Sequence, residues 1–224
     1  MHFTPRPSSP YRRLGVVALG AALALGLAGR VAVRAGSELP HGYALSALGH
    51  AVIALGAPWL VVAWAIGAAA DTRTRGAIGG ALTLALGTGG WYLLTVVHGG
   101  PATVHYAAPM TIAWGAVALV AGALFGLAGS AWRNGRLRAR AVAIAMVAGA
   151  MAGESLLLMR EWTGRAAGAV LAAELAAAVI VLVLARKRVP VALTVGLFAL
   201  ATLGFAEAEA TVRDTLRLVG WAGP

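Results

Sequence analysis

Glu154 and Glu174 are the residues to which chemistry is most readily assigned. Each lies inside an apolar run long enough to cross a bilayer, and an ionisable group in such a run is a functional candidate by default. The run holding Glu154 heads towards one membrane face, and the next run, holding Glu174, returns from it. At 1.5 Å per residue, Glu154 falls roughly 8 Å and Glu174 roughly 12 Å below that shared face. Consecutive antiparallel helices with a short connection are usually neighbours, so the two carboxyls are expected to face each other. Buried carboxylates need compensating positive charge. Arg30, near the end of the first run, and His50, near the start of the second, reach a similar level. A bound cation or a shared proton would serve as well. With Arg30 the arrangement is a structural ion pair; with a cation or proton it is a coupling site.

Other chemistries find less support. His41, His50, His98 and His105 fall on the same side as Glu38 and Glu161, but none has the spacing of His-Glu-x-x-His. The segment from His98 through Pro101 to His105 reads as a turn, and no metal site is expected. Neither a Gly-x-Ser-x-Gly elbow nor a Walker A loop occurs. Ser155 adjoins Glu154, but helical neighbours point about 100° apart. No enzyme activity and no cofactor are expected. The chain has no cysteine, which removes disulfides and thiolate metal sites.

The elements that must position these residues are membrane spans. The chain is 60% hydrophobic and 12% charged, against about a quarter charged in globular domains. Its charges cluster between uncharged runs of bilayer-crossing length. In hydrocarbon the backbone must satisfy itself within the segment, so the runs are helices. Seven are expected: 14–33, 47–70, 76–97, 108–132, 141–159, 166–185 and 189–205, with six as the fallback. The fold class is therefore an all-α polytopic transmembrane bundle. The first run reads as an uncleaved signal-anchor, because it is long for a signal core and arginines crowd the supposed cleavage site.

Basic residues set the expected orientation. Twelve Lys and Arg fall on the N-terminal side and six on the other, which places the N-terminus inside. The richest loops are Arg133 to Arg140 and Arg186-Lys187-Arg188. Because the arginines cap hydrophobic runs instead of forming a phosphate-tracking stripe, the net charge of +10 points to anionic lipid headgroups on the inner side and not to nucleic acid. Three parts result: a basic segment over 1–13, the bundle over 14–206, and an outer-side tail over 207–224. Within that tail, 207–217 mixes acids, bases and apolar residues, and reads as a solvated amphipathic extension.

Thirty glycines in a helical chain imply close packing. Small residues four apart let helices approach in lipid, where packing drives association. The pattern occurs at Gly76/Gly80, Gly122/Gly126, Gly149/Gly153 and Gly164/Gly168. Gly87, Gly89 and Gly90 mark a place where the third span is expected to loosen.

The run from Pro58-Trp59 to Ala70, then Trp91-Tyr92-Leu93, then Gly122-Ala123-Leu124-Phe125-Gly126-Leu127-Ala128-Gly129 before Trp132-Arg133, resembles a family of small bacterial multi-pass membrane proteins known only as a domain of unknown function. The resemblance spans roughly residues 45–205. It implies a location in the bacterial cytoplasmic membrane and supplies no activity, cofactor or site. A looser likeness is to the small membrane subunits that capture substrate for vitamin importers. The leading expectation is a transporter or substrate-capture protein for a small solute or ion, opening outward. The rival is a non-catalytic accessory subunit in which Glu154 and Glu174 only fasten the bundle.

Overall fold

The computed structural model describes Gly20 and residues 56–100, 103–161, 165–218 and 220–221. Among them are six helices and no strand: α1 (Gly56–Ala69), α2 (Arg73–Gly99), α3 (Val104–Asn134), α4 (Leu137–Glu161), α5 (Arg165–Ala185) and α6 (Val191–Leu218). The expected first span, Arg30, His50, His41, Glu38 and the basic N-terminal segment lie outside the described residues.

Four helices, α2, α3, α4 and α6, are long and apolar enough to cross a membrane, and α1 and the part of α5 from Val170 to Ala185 are shorter apolar helices. Seven full-length spans are thus not what the described residues contain. The expected spans 76–97, 108–132, 141–159 and 166–185 coincide with α2 to α5. The second span was expected from residue 47; residues 47–55 lie outside the described residues, and α1 is described from Gly56, two residues before Pro58. One boundary differs. The seventh span was expected to stop at residue 205, yet α6 runs unbroken to Leu218. Over 207–218 the expected tail is therefore the last part of a helix, with Ala206, Arg213 and Leu216 buried.

Close backbone approach organises one half of the bundle. A Cβ on Gly126 would collide with the Gly76 carbonyl, one on Gly80 with the Gly122 carbonyl, and one on Gly67 with the Gly126 carbonyl. α1, α2 and α3 therefore meet at contacts that only glycine permits. The other half is centred on α4, the most buried of the four long helices, which packs against α5 and α6. Gly149 and Gly153 face Ala201, Thr202 and Phe205 of α6. The halves join through α4 and through Phe125, whose ring meets Phe205 edge-on at 5.4 Å. Gly87 instead receives the Trp59 ring, and α2 continues as helix through Gly89 and Gly90 without the expected loosening. Ile112, Leu184 and Leu200, all at least 70% exposed, face outward as lipid-facing residues do.

The connections 70–72, 135–136 and 186–190 gather at one end. Arg133 donates to the Ala68 and Ala69 carbonyls that end α1, at 3.4 and 3.0 Å. The ring of Trp132 lies 6.2 Å from that of Trp64, and the Arg188 guanidinium stands 5.9 Å over Trp132. The basic loops of the sequence thus share one face of the bundle.

Candidate functional site

Gly56 and Ala57 are the first described residues of α1, just ahead of Pro58, and their N–H groups turn to a side chain. Both point at one carboxylate. Gly56 N–H donates to Glu154 Oε1 and Ala57 N–H to Glu154 Oε2, each at 2.6 Å. The positive end of the α1 dipole adds to this attraction. Glu154 is 1% exposed, and seven residues separate it from the end of α4, so the contact sits about 10 Å inside the bundle.

The cation of this site comes from α6. Arg213, 2% exposed, places NH2 3.6 Å from Glu154 Oε1. Nε and NH2 of the same guanidinium donate to Glu209 Oε1 at 3.1 and 2.6 Å. Glu209 and Arg213 are one helical turn apart, a spacing that lets the pair form on a single helix face. Arg213 therefore bridges a carboxylate of its own helix and one of α4.

Glu174 enters from α5. The single hydroxyl hydrogen of Ser155 is shared between Glu174 Oε2, 3.1 Å from Oγ, and the Met151 carbonyl, 2.9 Å from it. The Glu174 carboxyl lies within hydrogen-bonding reach of that of Glu154. Two carboxylates have no proton to offer each other, and Glu174 Oε1 is buried without a donor among the described residues. Glu154 and Glu174 are thus brought together as their spacing predicts. Among the described residues two buried carboxyls, with Glu209 beside them, face one guanidinium. Charge balance at low dielectric asks for a further positive charge or a proton.

An aromatic cover closes the C-terminal end of this cluster. Gly220 has φ 95°, a left-handed conformation that glycine adopts without a Cβ penalty. Its N–H bonds the Arg217 carbonyl while Trp221 N–H bonds that of Leu216, the paired pattern of a Schellman cap. The turn folds Trp221 back over Arg213 and Arg217, 5.8 and 5.7 Å from its ring centre. Trp221 also meets Trp114 of α3 edge-on at 5.4 Å.

Arg213, Glu209 and Trp221 were missed in the sequence because they sit in the segment read as a solvated tail. Gly56 and Ala57 lie inside the expected span 47–70, whose part before Gly56 lies outside the described residues. No group of three or more His, Cys, Asp or Glu side chains converges to hold a metal among the described residues.

No curated protein and no solved structure matches the chain. Its apolar helices mark a membrane protein. A family model does match, over residues 5–213, a range that contains every charged member of the cluster: the chain belongs to DUF6518, a family of unknown function.

Proposed function

We propose that the protein moves or captures a small ion or solute, with proton exchange at Glu154 and Glu174. The observation that carries this reading is the buried Glu174 Oε1, left without a donor among the described residues beside a second buried carboxyl. The two N–H groups of α1 that hold a buried carboxylate support it, because transporters use helix N–H groups to face anionic groups inside the membrane. The basic end, with Arg136, Arg138, Arg186 and Lys187 exposed, is read as facing anionic headgroups of the inner leaflet.

The test is electrical. Proteoliposomes on a solid-supported membrane are expected to give a transient current after a pH jump. Glu174→Gln should lose it, whereas Leu200→Ala on the lipid-facing side should keep it. A wild-type trace equal to that of empty liposomes overturns the reading.

One observation favours the accessory-subunit alternative: Glu154 is fully satisfied by two N–H groups and Arg213. Under that alternative no current flows, and the protein copurifies with a stable membrane partner whose binding survives Glu174→Gln.

A further inference from the structure

We infer that the N-terminal end of α1 is a binding site for a small monocarboxylate, filled in this structure by the Glu154 side chain as a tethered occupant. The inference rests on the ion-handling role proposed above and names its ligand class.

The site is built for a carboxylate. The N–H groups of Gly56 and Ala57 each take one oxygen of the same group at 2.6 Å, a two-pronged grip that matches carboxylate geometry. The helix behind them is 14 residues long, so its positive end is developed. The Arg213 guanidinium stands 3.6 Å from one of the gripped oxygens. A second, independent observation comes from α5. Glu174 is 9% exposed, its Oε1 has no donor among the described residues, and its carboxyl is within reach of the gripped one. Carrying one proton, Glu174 becomes a donor aimed at whatever carboxylate occupies the α1 terminus.

Exchange follows from charge balance. Among the described residues the groups facing Glu154 are the two N–H groups of α1, Glu174 of α5, Glu209 and Arg213 of α6, and Ser155 on its own helix. Glu154 accepts one proton at its carboxylate and leaves the α1 terminus as a neutral acid. A ligand R–COO⁻ then takes the two N–H bonds and the contact with Arg213. One proton and one carboxylate enter together, so the net charge of the cluster is unchanged. Trp221, lying over Arg213 and against Trp114, has to move for the ligand to arrive from the C-terminal end.

The experiment uses the full chain in detergent with formate and acetate as probes, and chloride and sulfate at matched ionic strength as controls. Glu154→Ala vacates the grip, and formate should raise its unfolding temperature saturably while chloride and sulfate do not. Glu154→Ala combined with Arg213→Ala should lose the effect. Wild-type protein in weak buffer should take up about one proton per bound formate, and Glu154→Gln should take up none. If Glu154→Ala fails to fold, the proton uptake decides alone. Equal stabilisation of Glu154→Ala by chloride overturns the carboxylate class. Absence of proton uptake by the wild type overturns the exchange and leaves Glu154 a fixed structural group. A pH-jump current lost in Glu174→Gln, without any formate effect, sinks this site but not the ion-handling role. Formate binding with proton uptake and no current does the reverse.

Discussion

The backbone N–H of Gly56 meets the carboxylate of Glu154 at 2.6 Å although 98 residues separate them. This contact joins the start of α1 to the middle of the bundle, and it makes a buried charge tolerable before any side-chain cation arrives. Hydrogen bonds to a charged acceptor contribute about 1.5–3 kcal/mol each. Two such bonds and one guanidinium hold Glu154 in place, and each can be tested separately.

Removing Arg213 strips Glu154 and Glu209 of their shared cation. Breaking a buried ion pair from one side costs about 3–5 kcal/mol. Arg213→Ala is therefore expected to lower thermal stability in detergent strongly. Arg213→Lys keeps the charge but loses the planar fork, and should fall between that variant and the wild type. Thermal unfolding of all three gives the order, and an Arg213→Ala protein as stable as the wild type rejects the pairing.

Gly126 is one of the crowded points of the α1–α2–α3 half. A Cβ there would strike the Gly76 carbonyl and approach Gly80 Cα at 3.2 Å. Gly126→Ala is expected to cost about 1–3 kcal/mol, as overpacking does. Gly115, on the same helix, has open space around it. Gly115→Ala should be neutral or stabilising by up to about 1 kcal/mol, since alanine is the better helix former. Denaturation of the two variants side by side checks the contrast.

Gly220→Ala and Trp221→Ala both act on the aromatic cover. A Cβ at φ 95° is strained by about 1–2 kcal/mol, and the cation–π contacts to Trp221 are worth about 0.5–2 kcal/mol. Both variants should speed amide hydrogen exchange at Leu216 to Trp221 and leave exchange in α2 unchanged. Equal exchange in the wild type and both variants would show that Trp221 does not cover Arg213.

The gathered basic loops predict a sidedness that the cysteine-free chain makes easy to read. Single cysteines at Arg136 and Lys187 are expected to react with a membrane-impermeant thiol reagent only after cells are opened. A cysteine at His105, exposed at the opposite end, should react in intact cells. The reverse pattern inverts the orientation, and with it the side from which Trp221 is approached.

Much of this architecture was legible in the chain. Hydropathy and run length are local properties, so α2, α3, α4 and α5 fall where the apolar runs do. The meeting of Glu154 with Glu174 was also legible, because antiparallel neighbours fix relative depth.

What only the tertiary structure showed is that Arg213 answers Glu154. Read along the chain, Arg213 stands among Glu207, Glu209, Asp214 and Arg217, a mixture that looks like a solvated end. Folded, it is 2% exposed and reaches a carboxylate on another helix. The difference lies in the rotation and height of α6 against α4, set by Gly149 and Gly153 pressing on Ala201, Thr202 and Phe205. Hydropathy records how apolar a helix is, not which way it turns about its axis. The pairing of Arg213 with Glu154 depends on that turn, and packing alone supplies it.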